Sequence, residues 1–88
     1  MKIIQFGAIW CVNCVYMKNV WEEIAGGFNG MDAEYYDADD NPDEFNKYSI
    51  KDIPVFIFFD SGGNEFMRLN GAQSKEELIK IIKENLDK

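Results

Sequence analysis

The segment Lys2-Ile3-Ile4-Gln5-Phe6-Gly7 is short, rich in β-formers and closed by glycine, a pattern that predicts a strand. Adjacent Ile3 and Ile4 suit a strand covered on both faces. From Cys14 the period changes. Cys14, Met17, Trp21, Ile24, Ala25 and Phe28 recur at helical spacing, with Lys18, Glu22 and Glu23 elsewhere on the wheel. The helix should begin near Cys11 and meet a left-handed stop at Gly26-Gly27. No Ser, Thr, Asp or Asn occupies the usual cap position before it, so the Cys11 thiol stands where a cap is expected.

Ala33 to Asp37, with Tyr35 and Tyr36, predicts a second strand. Asp40-Asn41-Pro42-Asp43-Glu44 reads as the start of a short helix reaching about Tyr48: a capping side chain, proline in the first turn, acids at the positive end. Val55-Phe56-Ile57-Phe58-Phe59 is the clearest strand. Asp60-Ser61-Gly62-Gly63-Asn64 is a turn, and Glu65 to Leu69 returns as the hairpin partner. Asn70-Gly71 breaks the chain. Ser74-Lys75-Glu76-Glu77 has capping-box spacing, and Leu78, Ile81, Ile82 and Leu86 stripe one face of a last helix. The expected order is β-α-β-α-β-β-α: a parallel strand–helix–strand unit, an antiparallel hairpin and a closing helix.

Composition narrows the chemistry. The 88 residues form one expected domain, 1–88, with 47% hydrophobic and 28% charged residues, an ordinary globular mixture. No apolar run approaches the roughly 20 residues of a membrane span. The amino-terminal residues do not read as a signal peptide, so a cytoplasmic location and no membrane partner are expected. A net charge of −7 argues against nucleic acid as a partner. Histidine is absent, which removes Ser–His and Cys–His mechanisms and histidine metal ligands together.

The two cysteines of the chain lie in Trp10-Cys11-Val12-Asn13-Cys14, where a strand hands over to a helix. A helix amino terminus leaves N–H groups unpaired and carries about half a positive charge, and both favour a thiolate at Cys11. Cys14 lies one turn further on, near enough to close a disulfide. This division makes Cys11 the nucleophile that forms a mixed disulfide and Cys14 the resolving thiol that releases the partner. Two alternatives stand beside it. A structural disulfide would close too short a loop to stabilise much. A zinc or iron–sulfur site would need two chains, since one chain offers two thiols and no imidazole; no metal and no cofactor are expected.

Motif and element order together resemble the thioredoxin family over nearly the whole chain. Phe6-Gly7-Ala8-Ile9-Trp10-Cys11 is similar to the family's passage from strand to active site, and Asp39-Asp40-Asn41-Pro42 to its second strand-to-helix corner. Tyr48-Ser49-Ile50-Lys51-Asp52-Ile53-Pro54-Val55 resembles the segment that carries its cis-proline, and Asn70-Gly71-Ala72 its last active-site loop. The resemblance implies an α/β thioredoxin-like fold, a four-stranded mixed sheet flanked by three helices. It also implies a monomer that reduces disulfide-containing proteins and draws electrons from a reductase of the thioredoxin reductase type.

By the same resemblance Trp10 shields the nucleophile and frames the docking surface. The Ile53–Pro54 bond would be cis and lie against Cys11, the Ile53 backbone would pair with an incoming peptide, and Gly71 would let that peptide approach. Several positions depart from the family. Val12 and Asn13 replace its usual glycine and proline and so bear on the reduction potential. Gln5 stands where the family has a buried aspartate beneath the second cysteine, and Tyr35 where it has a nearby lysine. Gln5 takes up no proton, which leaves water or the departing Cys11 thiolate to deprotonate Cys14. A glutaredoxin-like, glutathione-dependent reductase and a redox-inactive binding module on the same fold are the rival expectations.

Overall fold

A computed structural model describes residues 1–28 and 31–87. Its elements run β1 (Lys2–Gly7), α1 (Val12–Ala25), β2 (Asp32–Asp37), α2 (Pro42–Lys47), β3 (Val55–Phe59), β4 (Glu65–Asn70) and α3 (Lys75–Glu84). The four strands form one sheet in the order β2-β1-β3-β4. β1 pairs parallel with β2 and antiparallel with β3, and β3 pairs antiparallel with β4. The sheet is therefore mixed, as the element order predicts.

Strand alternation sends successive residues to opposite faces, and both faces are buried. On one side Ile3, Phe56 and Phe58 pack with Met17, Val20, Trp21 and Ile24 of α1 and with Leu78, Ile81 and Ile82 of α3. On the other, Ile4, Phe6, Val55, Ile57 and Phe59 gather Tyr36, Phe45, Tyr48 and Ile50 around α2. The uninterrupted apolar run of β3 follows: all five of its residues are buried, alternately in one core and the other.

Four local expectations need correction. Gly26 closes α1 with φ −66°, in the right-handed region. The helix instead tightens, with Gly27 N–H donating to the Ile24 carbonyl at 2.9 Å, a bond spanning three residues. At α2 the expected cap does not form. Asn41 makes no side-chain cap bond, and its Nδ2 donates back to the Asp37 carbonyl at 3.2 Å. Leu86 lies beyond the end of α3 and is exposed, so the apolar stripe ends at Ile82. Val20, outside the predicted stripe of α1, is part of the core. The capping serine of α3 behaves as expected, Ser74 Oγ accepting from Glu77 N–H at 3.1 Å.

The register sets one end of the sheet apart. Gly7 pairs with Asp37, Phe6 with Val55, and Val55 with Asn70. The segments just past those pairs therefore leave from the same edge: Ala8 to Cys11, Ala38 to Asn41, Ile53-Pro54 and Gly71. No described helix is long and apolar enough to cross a membrane.

Candidate active site

At that edge β1 turns into α1 through Ala8, Ile9 and Trp10. Cys11 N–H donates to the Ala8 carbonyl at 3.1 Å, closing the turn, and Val15 N–H donates to the Cys11 carbonyl at 3.1 Å, the first bond of the helix. Cys11 is the N-cap, extended at φ −100° and ψ 111°. Its Sγ accepts the Cys14 N–H at 3.3 Å. Sulfur thus does the work usually done by a serine or aspartate oxygen, leaving one fewer orphan amide in the first turn.

The two thiols are free and unlike in exposure: Cys11 is half-buried, whereas Cys14 is 0% exposed. Burial, the side-chain hydrogen bond with Cys11 and the charges of Cys11 and Asp37 push the Cys14 thiol up to about 12, against a smaller opposing pull from the Ala8 backbone. Cys14 therefore holds its proton at neutral pH in the reduced protein.

Gln5 lies beneath the pair, 2% exposed on the α1 side of β1, and its Nε2 donates to the Cys14 carbonyl at 3.0 Å. It braces the first turn of α1 against the sheet through the backbone. Gln5 pairs in register with Tyr35 on β2. Gly7 packs so closely on this group that a Cβ there would stand 2.8 Å from Cys14 Cβ and 2.9 Å from the Tyr35 hydroxyl. A side chain at position 7 would collide with both.

Asp37, which no motif singles out, ties the corner together. Its carboxylate accepts Ile9 N–H at 3.0 Å through Oδ2 and Asp39 N–H at 2.9 Å through Oδ1. Its carbonyl accepts Asn41 N–H at 2.9 Å, while Ala38 N–H donates to the Gly7 carbonyl at 2.8 Å. Among 16 acidic residues, several of them neighbours, nothing in the sequence marks this one. The one available signal is its place as the last residue of β2.

The remaining expected residues lie as follows. Trp10 is 67% exposed and Val12 83% exposed; Asn13 is exposed beside them. Ile9, Val15 and Tyr16 are exposed as well, so five large apolar side chains close to Cys11 in sequence are exposed. The Ile53–Pro54 bond is cis, and Pro54 is buried. The Pro54 carbonyl accepts Gly71 N–H at 2.7 Å, which joins the two loops, and Gly71 sits at φ +87°, a conformation that favours glycine. Among the described residues no cluster of three or more His, Cys, Asp or Glu is placed to hold a metal ion. A cavity of about 390 Å³ lies around Met1, Tyr48 and Phe59, and one of about 260 Å³ between α1 and β2 is lined by Gln5, Lys18 and Tyr35; neither is lined by the thiols.

Comparison with known proteins agrees with this arrangement. The family model described as Thioredoxin matches residues 1–84. A thioredoxin of Staphylococcus epidermidis is 34% identical over 87 residues, covering 98% of this chain and 83% of its own length. One from Staphylococcus aureus is 32% identical over the same span, with the same coverage. In three dimensions a thioredoxin variant from Halobacterium salinarum superposes with a TM-score of 0.87 at 23% identity, over 96% of this chain and 73% of that one. With a dithiol at a helix terminus and these relatives, the chain belongs to the thioredoxin family of thiol–disulfide oxidoreductases.

Proposed function

We propose that the chain reduces disulfides in protein partners, with Cys11 attacking and Cys14 resolving. The observation that carries this reading is the unequal exposure of two sulfurs one helical turn apart: Cys11 at the partly open cap, Cys14 wholly buried. A partner's disulfide reaches the first and not the second. Cys11 thiolate attacks one partner sulfur, the partner's S–S bond breaks, and the other partner sulfur leaves as a thiolate that takes up a proton. Cys14, its proton lost, then attacks Cys11 Sγ. The bond between Cys11 and the partner breaks, and the second partner thiolate leaves and is protonated. Two electrons and two protons have passed to the partner, and Cys11 and Cys14 are joined.

Trp10 and its exposed neighbours form the face on which the partner lies. The Ile53 backbone pairs with an extended segment of it, and Gly71 leaves room for that segment. Val12 and Asn13, next to the reacting sulfurs, tune the reduction potential, and Gln5 holds Cys14 in place. The oxidised chain is returned to the dithiol by a reductase of the thioredoxin reductase type. The chain acts as one domain and a monomer in the cytoplasm, a reducing compartment that suits a free close pair of thiols, and its charge of −7 keeps it from nucleic acid.

The test is a trap. In Cys14→Ser the mixed disulfide on Cys11 has no resolving thiol, so a protein substrate should remain covalently attached until dithiothreitol is added. An adduct that still forms after Cys11→Ser, or none with Cys14→Ser, overturns the assignment.

A further inference from the structure

The resolving step asks Cys14 to carry negative charge where water does not reach. Gln5, the polar side chain beneath it, has a neutral carboxamide, and one of its two N–H donors is bound to the Cys14 carbonyl. A second group, Tyr35, also lies close to the sulfur. A Cβ at Gly7 would lie 3.1 Å from Cys14 Sγ and 2.9 Å from Tyr35 Oη. Sulfur and phenol oxygen therefore share the notch left by the missing side chain. Lys18 of α1 lies over the Tyr35 ring, 5.0 Å from its centroid, and helps fix its orientation.

We propose that Tyr35 donates a hydrogen bond from Oη to Cys14 Sγ as the thiolate forms, and so acts as a further catalytic residue of the resolving step. The proposal rests on the reading of Cys14 as the resolving thiol. Tyr35 keeps its own proton throughout. The proton leaving Cys14 passes to solvent and the departing partner thiolate takes one up, so charge and atoms balance without another reactant. Burial, then the charges of Cys14, Asp37 and Cys11, push the Tyr35 hydroxyl up to about 12, so it remains a donor at neutral pH. The charged and titratable groups that act on Tyr35 are Cys14 and Lys18 from α1, Cys11 at its cap and Asp37 from β2, with the uncharged Gln5 opposite it on β1. A hydrogen bond to a charged acceptor contributes about 1.5–3 kcal/mol, which corresponds to about 10–100-fold in rate.

Ellman's reagent separates the two steps. Attack by Cys11 releases a first coloured thiolate, and resolution by Cys14 releases the second. In the full chain carrying Tyr35→Phe, the first phase should keep its rate. The second should slow by about tenfold or more, with its pH profile displaced to higher pH. Gly7→Ala, whose methyl would meet Cys14 Cβ and Sγ as well as the Tyr35 hydroxyl, should slow the second phase selectively as well. A second phase unchanged in Tyr35→Phe overturns the proposal, whatever Gly7→Ala does. So does an equal slowing of both phases together with a lowered unfolding midpoint, which would mark the ring as packing only. If the unsubstituted protein releases no second thiolate at all, it is the resolving role of Cys14 that fails instead.

Discussion

Asp37 Oδ2 accepts the Ile9 N–H at 3.0 Å, so the end of β2 holds the peptide that leads into Cys11. The same carboxylate accepts Asp39 N–H through its other oxygen. One side chain thus fixes two strand-to-helix corners that are far apart in sequence. Asp37→Ala strips partners from both amides and should cost about 1–3 kcal/mol in denaturant unfolding, with Asp37→Asn, which keeps one acceptor, costing less. Because the Asp37 charge helps hold the Cys14 thiol up, both variants should lower it, which thiolate absorbance against pH would read. Unfolding and titration curves that both match the parent would refute the clamp.

Stability of the reduced protein should fall at alkaline pH. Cys14 rises from 9.0 in the unfolded chain to about 12 in the fold, so between those values the native state binds the proton that the unfolded state has lost. The stabilisation is complete below pH 9 and disappears as pH climbs toward 12. Tyr35, raised from 10.0 to about 12, acts in the same direction over the upper part of that window. Chemical denaturation of the reduced chain at several pH values checks this, and Cys14→Ala should flatten the lower part of the decline.

The exposed apolar side chains near Cys11 should matter for large substrates only. Val12→Lys and Tyr16→Glu each place a charge where a partner has to dehydrate the surface. Either should lower kcat/KM for a protein disulfide by about tenfold, the order expected when most of one apolar side chain's burial is lost. Reduction of a small disulfide, which touches little beyond the sulfur, should change far less. Equal losses on both substrates would mean that the face is not used for docking.

Ser49 follows α2 at φ +56°, and Ile50 N–H reaches back to the Phe45 carbonyl at 2.9 Å. A left-handed residue at a helix end suits glycine, since a side chain there meets the neighbouring carbonyl. Ser49→Gly should therefore stabilise the fold by about 0.5–1 kcal/mol, relief of strain outweighing the added freedom of the unfolded chain. A loss of stability would count against that accounting.

Where sequence and structure agree, the physics is strongly periodic. Buried β3 announces itself by five successive apolar residues, and α3 by a serine cap followed by a clean stripe. The pair Cys11 and Cys14 is legible because spacing and position at a strand-to-helix corner coincide. Elsewhere local signals are ambiguous. Gly26-Gly27 permits a left-handed stop without requiring one, and the chain takes the tighter right-handed ending. Asn41 has the chemistry of a cap, yet its amide goes to the Asp37 carbonyl because that acceptor is brought close by the fold. Asp37 and Tyr35 owe their importance to Ile9, Gly7 and Cys14, residues on other elements, and contacts across elements leave no periodic trace.

The sulfur that closes the first turn of α1 is also the one that the reaction consumes. While Cys11 is unbonded, its lone pairs receive the Cys14 amide. Once it is bonded to another sulfur it becomes a poorer acceptor, and that amide is left less well satisfied. Whatever the cap contributes to folding therefore appears, by closure of the thermodynamic cycle, as a bias of the redox couple. The helix end favours holding electrons in the chain's thiols, and strengthening or weakening that first turn would shift the midpoint potential without altering either cysteine.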